Sequence, residues 1–215
     1  MTSWSGRLLV ATPTLLDPHF LRAVVLLLQH DGDEGALGVV LSRPSETAVA
    51  EVLPTWSDLA AEPALVFGGG PVQPTAAVCV GRLAAPAHPA YGWAPLADPL
   101  LGTVDLDGDP WEGLAQVRVF AGYAGWSTGQ LESEVEQGAW WVLDALPGDA
   151  FSPRPELLWE QVLRRQGPPL AFAASYPDDP TLNWPAPTPA RPALTPVRPA
   201  PTPVRPAPTP ARPLT

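Results

Sequence analysis

Ser127 is the side chain of this sequence that is most readily connected with a reaction. Residues 125–129 read Gly-Trp-Ser-Thr-Gly and match the G-x-S-x-G pattern of a nucleophile elbow. An apolar, strand-like run precedes the motif and a helix-like run follows it, which is the context that an elbow requires. The first hypothesis is therefore that Ser127 is a catalytic nucleophile.

The order of the histidines argues against that hypothesis. A serine nucleophile needs a base, and in the hydrolase fold with this motif the histidine follows the serine. His19, His30 and His88 all precede Ser127. Triads with other chain orders are known, so a hydrolase with a convergent site near Ser127 or His30 stays open. Ser127 and Gln130 also have the Ser-x-x-Gln spacing of a capping box, and a helix cap is the favoured interpretation.

The acidic residues after His30 and the single cysteine could also bind a metal or a ligand, but structural roles are favoured for them. Asp31, Asp33 and Glu34 follow His30 in a pattern that would suit a divalent metal, but a solvated turn is favoured. Cys79 lies in an apolar run and is predicted to be a buried, inert thiol. The chain has no lysine, which excludes a Walker-A or Schiff-base lysine. The sequence therefore predicts no metal and no other cofactor.

The elements that would position these residues are mostly strands. We expect strands over 6–11, 22–29, 36–42, 64–67, 76–81, 115–123, 139–146 and 170–174, with loops over 84–115. We expect helices over 45–53, 130–137 and 155–166. Short loops join the early strands. The pattern favours an α+β domain with mostly antiparallel pairing over a doubly wound parallel sheet.

Composition divides the chain into a domain and a tail. All 22 acidic residues lie in residues 1–184 with 8 of the 12 arginines, so this part has a formal charge of −14. Residues 185–215 hold 12 prolines and no acidic residue. Their arginines recur every seven residues, at Arg191, Arg198, Arg205 and Arg212. The sequence predicts one folded domain over 1–184 and a disordered tail with polyproline II character over 185–215.

Charge and targeting signals limit the classes of function. An acidic domain repels phosphate backbones, which argues against direct nucleic-acid binding. No signal peptide and no apolar run long enough for a bilayer are visible, so the protein is predicted to be cytoplasmic, without a membrane partner. The tail is predicted either to be a solubilising extension or to bind a Pro-recognising or acidic partner.

Several short segments occur together in one order. The first are Gly-Arg-Leu-Leu-Val-Ala-Thr-Pro (6–13), Asp-Pro-His-Phe-Leu-Arg (17–22) and Val-Val-Leu-Leu-Leu-Gln-His (24–30). Gly-Ala-Leu-Gly-Val-Val-Leu-Ser-Arg-Pro (35–44) and Gly-Gly-Pro-Val (69–72) follow, and Gly-Tyr-Ala-Gly-Trp (122–126) with Gly-Gln-Leu-Glu (129–132) closes the series. In this order the segments resemble the YqgE/AlgH family of bacterial proteins, over about residues 6–170. Ser42 departs from the family's usual asparagine before Arg-Pro.

The resemblance implies a compact α+β domain whose bent, mostly antiparallel sheet folds toward a barrel, with helices packed outside. It implies no known reaction, although some members carry a transcriptional-regulator label. The family pattern leaves the position of Ser127 open while it keeps Gln130 and Glu132, which counts against nucleophilic catalysis.

The predicted function is that of a non-enzymatic binding or regulatory protein for an unknown protein or small ligand. The alternatives are the hydrolase and a transcriptional regulator that acts through a partner. Several polar and aromatic residues are candidate binding residues, which either converge on one pocket or satisfy one buried network: His30, Arg43, Tyr123, Trp126, Gln130 and Glu132.

Overall fold

The computed structural model describes residues 3–86 and 92–176, and strands dominate this part of the chain. The strands are β1 (Leu8–Ala11), β2 (Val24–Asp31), β3 (Gly35–Val40), β4 (Pro44–Ala48), β5 (Leu65–Gly68), β6 (Val72–Leu83), β7 (Trp93–Pro95), β8 (Leu101–Val104), β9 (Leu114–Trp126) and β10 (Trp140–Leu143). The helices are short: α1 (Val49–Val52), α2 (Gln130–Glu136), α3 (Leu158–Arg164) and α4 (Leu170–Ala173), with 3₁₀ turns at Pro54–Leu59, Asp149–Phe151 and Pro155–Leu157.

The ten strands form one curled sheet in the order β10-β1-β2-β3-β9-β6-β8-β7, with β5 added to β9 and β4 added to β5. Each strand pair is antiparallel except β5 with β9. The predicted fold class, a single α+β domain with a mostly antiparallel, bent sheet and a few helices, is confirmed as a half-barrel. The hairpin between β2 and β3 is also confirmed, since Asp31 pairs with Gly35 across its turn.

Strand β9 connects the parts of the hydrophobic core, because it contributes residues to three hydrophobic clusters. Val117 and Val119 belong to one cluster and Phe120 to a second, as the alternation of a strand requires. After Gly122, which has a φ of 73°, Trp126 belongs to a third cluster while Tyr123 packs against the second. The alternation of β9 therefore changes by one residue between Phe120 and Tyr123, where the register with β6 shifts, and Trp126 lies under α2.

The triple-glycine segment before β6 packs backbone against backbone. A Cβ at Gly69 would lie 2.1 Å from the carbonyl oxygen of Gly122, which no side chain tolerates. Gly70, at φ 152°, would meet Tyr123 in the same way at 2.3 Å. Gly69 and Gly70 form no hydrogen-bonded turn, and they pass directly against the backbone of β9.

Three sequence predictions about elements are wrong. Residues 45–48 belong to strand β4, because the Ser45 hydroxyl oxygen accepts the Thr47 N–H in a local turn and leaves no cap for a helix. Residues 170–173 form α4, because leucine and alanine favour a helix once the chain packs beside α3. The expected loops of 84–115 contain two short strands, β7 and β8, where Trp93 pairs with Val104.

Within the described residues, no helix is both long and apolar enough to cross a bilayer. The predicted tail over 185–215 and the domain boundary at 184 lie outside the described residues, as does His88. Those parts of the sequence analysis stay predictions.

Candidate functional site

His30 lies near the end of β2 and is built into the protein interior. Its side chain is 3% exposed, and the indole of Trp4 stacks on the imidazole with the ring centroids 4.7 Å apart. Nδ1 of His30 accepts the backbone N–H of Trp4 at 3.1 Å. Nδ1 therefore carries no proton, and the remaining proton of the neutral ring is on Nε2.

Glu132 on α2 accepts a hydrogen bond from this Nε2–H group. The distance from His30 Nε2 to Glu132 Oε1 is 3.1 Å. The backbone of His30 is held as well, because its N–H donates to the Ser5 hydroxyl oxygen and its carbonyl accepts from the Ser3 hydroxyl. With both ring nitrogens bonded and one ring face covered by Trp4, His30 ties the N-terminal segment and α2 to the sheet.

Glu134, one helical turn from Gln130, joins the elements on either side of α2. Its Oε2 accepts the indole N–H groups of Trp126 and Trp140, each at 2.9 Å. Its Oε1 accepts the side-chain amide of Gln130 at 3.0 Å. Both indoles are buried, so this one carboxylate satisfies two donors that would otherwise lose their hydrogen bonds on burial.

The turn around Ser127 is a structural turn with an unexpected cap. Helix α2 begins at Gln130, and its N-cap is Gly129 in the left-handed region at φ 72°. The Gln130 side chain reaches back to accept the Ser127 N–H at 3.1 Å and the Ser127 hydroxyl at 3.0 Å. Half of the predicted capping box is therefore present, whereas the Ser127 hydroxyl caps no helical N–H. That hydroxyl donates to an amide oxygen and not to a histidine.

Arg43 and Tyr123 lie apart from this turn. The guanidinium of Arg43, which precedes β4, donates to the carbonyl oxygen of Leu21, and burial lowers the pKa of this arginine. Tyr123 is half-buried and packs against the cluster of Phe67 and Phe120. The six candidate residues thus divide between the α2 end of the sheet and the β4 side, and they do not converge on one pocket or one network.

Two acidic residues of α2 face the sheet and not the solvent. Glu132 and Glu134 bind His30 and the two indoles, because α2 packs its acidic side onto the ends of β2 and β9. The acidic loop beside His30 is a turn, as expected: Asp31 Oδ1 accepts the N–H groups of Asp33 and Glu34. Among the described residues, no group of three or more His, Cys, Asp or Glu side chains is arranged for a metal ion.

Cys79 is buried at 3% exposure, as predicted. Burial raises the pKa of its thiol, which keeps the thiol protonated and unreactive.

Arg118, which the sequence analysis did not single out, is a buried cation in β9 at 2% exposure. Its guanidinium donates to the carbonyl oxygens of Ala150, Pro63, Glu62 and Ser152 at 2.8–3.3 Å. It also lies over the Phe67 ring, 4.2 Å from its centroid. Burial lowers the pKa of Arg118 to about 10, with Glu62 opposing the shift, so the group stays charged at neutral pH. A single charge inside the apolar run 117–120 was the available sequence signal.

An open groove lies between β4 and β5, away from the α2 end of the sheet. Pro44 pairs with Phe67 and Ala48 with Leu65, so three residues of β4 face one residue of β5 and the strands separate. The groove has a volume of about 390 Å³ and is lined by Ser45, Thr47, Val52, Val66, Phe67, Gly68 and Ala121.

Gly68 is the exposed residue on the floor of this groove. A Cβ placed on Gly68 would meet nothing nearer than the Arg43 carbonyl oxygen at 3.8 Å. The Gly68 N–H donates to that same carbonyl at 2.8 Å, so Arg43 forms the rim. A second recess, of about 250 Å³, contains the ion pair of Arg7 with Asp144. Its cation is already paired.

The chain is similar to known proteins along almost the whole of its described part. A family model described as DUF179, AlgH-like, matches residues 8–171. A UPF0301 protein of Streptomyces avermitilis is 52% identical over 190 residues, which cover 85% of this chain and 97% of the relative. A UPF0301 protein of Mycobacterium tuberculosis is 50% identical over 186 residues, which cover 83% of this chain and 90% of the relative.

Two solved structures are similar to the fold. The crystal structure of a protein from Corynebacterium diphtheriae gives a TM-score of 0.76 at 34% identity, covering 82% of this chain and 93% of that chain. The solution structure of the AlgH protein from Pseudomonas aeruginosa gives a TM-score of 0.58 at 28% identity, covering 81% and 94%. The resemblance that the sequence segments indicated is confirmed. Since a family model spans residues 8–171 and relatives share half of the aligned positions, the chain belongs to the AlgH-like family DUF179.

Proposed function

We propose that this member of the family is a non-enzymatic binding protein of the cytoplasm with a regulatory role, and that it binds through the groove between β4 and β5. The observation that carries the proposal is a contrast in accessibility. The polar side chains of the α2 end are bonded to one another or to the backbone, whereas the groove presents an open, mostly apolar surface.

The chemistry of the groove fits an extended, apolar segment of a partner protein. Val52 and Ala121 are half-buried and supply apolar contact, and Gly68 leaves room between them, whereas Val66 and Phe67 are almost fully buried. The Ser45 and Thr47 hydroxyls are donors for the carbonyl groups of an extended chain, which has no internal hydrogen bonds. The Thr47 hydroxyl has no hydrogen-bond partner in residues 3–86 and 92–176.

The six predicted binding residues have different places in this proposal. Arg43 acts directly, as the rim of the groove, because its carbonyl holds Gly68. His30, Trp126, Gln130 and Glu132 act by holding the α2 end together. Tyr123 supports the sheet below through its packing on the Phe67 cluster.

A hydrolase near Ser127 or His30 is less well supported. A nucleophilic serine requires a base within about 3.2 Å of its hydroxyl. The Ser127 hydroxyl donates to Gln130, and His30 is engaged by Trp4 and Glu132. Labelling of the full chain by a fluorophosphonate probe, lost on Ser127→Ala, would restore this alternative.

A role in transcription, in this proposal, passes through a partner protein. The domain carries a charge of −14, which opposes contact with a DNA backbone. The single cysteine, Cys79, is buried without a disulfide partner in the chain, which supports the cytoplasm as the compartment. Fractionation of cells that express the tagged full chain tests the location, and recovery outside the cytoplasmic fraction contradicts it.

Two glycine variants test the groove with the same substitution. Gly68→Val fills the groove from a strand position without a positive φ, and we expect it to change the free energy of unfolding by less than about 1 kcal/mol. Gly125→Val is the matched control in β9, where the nearest atom to a new Cβ is 3.6 Å away in the Tyr123 ring. The full-length variants are tagged and purified from cells, and bound proteins are quantified by mass spectrometry.

The expected result is that Gly68→Val loses specific partners that Gly125→Val and the unchanged protein retain. If Gly68→Val keeps the same partners, or if Gly125→Val loses them, the groove is not the binding surface.

A further inference from the structure

We propose that the groove between β4 and β5 is occupied, in the free protein, by the chain's own proline- and arginine-rich C-terminal segment, residues 185–215. This inference rests on the proposed binding groove and names an occupant for it. The segment would then compete with partner proteins for the same surface, which gives the protein an internal control of binding.

A series of hydrogen bonds connects the end of the described chain with the groove. The carbonyl oxygen of Tyr176, the last described residue, accepts a hydrogen bond from the Arg22 guanidinium. The neighbouring Leu21 carbonyl accepts from Arg43, whose own carbonyl accepts the N–H of Gly68. Two arginine side chains and their backbones therefore connect Tyr176 with the groove floor, a distance on the order of 20 Å.

The length of the remaining chain is sufficient for this path. Thirty-nine residues follow Tyr176, and the first proline of the repeats is Pro185. Extended chain covers about 3.3 Å per residue, so the residues between them can span the distance.

The chemistry of the segment matches the lining of the groove. Proline has no N–H, so a proline-rich segment offers carbonyl acceptors and apolar rings in an extended helix of three residues per turn. The groove offers donors in Ser45 and Thr47 and apolar contact in the half-buried Val52 and Ala121. Donors and apolar contact are what the carbonyl groups and the rings of a proline-rich segment require.

Charge favours the same occupant. Residues 44–68, which supply most of the groove, contain four exposed acidic side chains near its lining, against one cation, Arg43, at its rim. These are Glu46, Glu51, Asp58 and Glu62. The segment carries an arginine every seven residues and no acidic residue. The attraction between exposed charges acts within about 10 Å at moderate ionic strength, so it supplements the apolar contact and weakens with salt.

A spin label in the tail of the full-length chain tests the proposal. Thr202→Cys introduces a labelling site, while Cys79 is 3% exposed and resists the reagent. A nitroxide at position 202 broadens the amide resonances of the residues that it approaches. We expect the largest loss of intensity at Thr47, Val66 and Gly68 and the smallest at Ser133 on α2. The reduced, diamagnetic label gives the reference intensities.

Three variants keep the result interpretable. Gly68→Val should abolish the selective broadening at Thr47 and Val66, and Gly125→Val should leave it unchanged. The pair Arg198→Gln and Arg205→Gln leaves the domain untouched and should reduce the broadening. Equal broadening on the groove and on α2, or broadening that Gly68→Val leaves unchanged, would overturn the proposal.

Mixing distinguishes the chain's own tail from that of a second copy. When ¹⁵N-labelled chain without the nitroxide is mixed with nitroxide-labelled chain without ¹⁵N, docking within one chain predicts no broadening. Broadening in the mixture would overturn docking within one chain.

The outcome is separable from that of the proposed function. Partner capture that depends on Gly68 without tail broadening refutes this inference and leaves the binding groove standing. Tail broadening without any effect of Gly68→Val on partner capture supports docking of the tail and refutes the groove as the surface that binds partner proteins.

Discussion

The α2 end of the sheet and the groove between β4 and β5 use their residues in opposite ways. At the α2 end, residue types that are common in active sites form hydrogen bonds within the protein. His30 donates to Glu132, and Glu134 accepts from two indoles. At the groove, residues with little reactivity of their own surround open space. In this fold, side chains of the types found in active sites hold neighbouring elements together by hydrogen bonds. The surface available for binding lies instead at the groove, where two strands separate.

The two regions are also built by different backbone devices. The alternation of β9 changes near Gly122, where the register with β6 shifts, so that Trp126 reaches the interior below α2. A wider irregularity in β4, between Pro44 and Ala48, separates two strands and leaves a cavity. The change in β9 buries Trp126 below α2, whereas the irregularity in β4 leaves the groove open.

The largest effect is expected at Arg118, which supports the groove from below through Phe67. Arg118→Met leaves four buried carbonyl oxygens without their donor, and we expect the free energy of unfolding to fall by about 4 kcal/mol. Arg118→Lys retains the charge with fewer donors and should lose less. Urea denaturation followed by tryptophan fluorescence measures both variants. A loss below about 1 kcal/mol for Arg118→Met would show that the groove does not depend on this cation.

Glu134 is expected to be the most costly position at the α2 end. Glu134→Ala removes the hydrogen-bond acceptor of two buried indole N–H groups. We therefore expect the free energy of unfolding to fall by about 3 kcal/mol. Glu134→Gln keeps one acceptor oxygen and should lose about half as much. If the two variants unfold alike, the carboxylate is not what joins Trp126 to Trp140.

His30 should show a smaller and more local effect. His30→Phe preserves the stacking with Trp4 but removes the acceptor for the Trp4 N–H and the donor to Glu132, at a cost of about 2 kcal/mol. Hydrogen exchange should accelerate in residues 3–7 more than in β5. Acceleration spread evenly over the sheet would contradict a role in fastening the N-terminal segment.

Ser127 should show the smallest effect. Its hydroxyl is exposed and contributes one hydrogen bond to Gln130, so Ser127→Ala should change the free energy of unfolding by less than about 0.5 kcal/mol. Partner capture by this variant should equal that of the unchanged protein. Loss of capture would move the binding surface to the α2 end and reverse the comparison.

The fold was predictable from local pattern to a large extent. Apolar runs and the turn at residues 31–35 indicated the β1–β3 meander. Residues 170–173 and 45–48 were misassigned because their local preferences are weak, and packing beside α3 and pairing with β5 decide them.

The candidate site was harder to predict because its residues act over long separations in sequence. His30 and Glu132 are 102 residues apart, and nothing in either segment indicates the other. Glu134 could have been suspected from its place between Trp126 and Trp140, two indoles that need acceptors when buried. The groove has no motif, since it arises from the register of two strands.

The central claim, that the groove and not the α2 end is the binding surface, is tested most directly by photo-crosslinking in cells. A photoreactive amino acid replaces Thr47 in the groove in one full-length variant and the exposed Ser133 on α2 in another. We predict crosslinked products from position 47 that disappear when Gly68→Val is added, and no comparable products from position 133. Products from position 133, with none from position 47, would contradict the account.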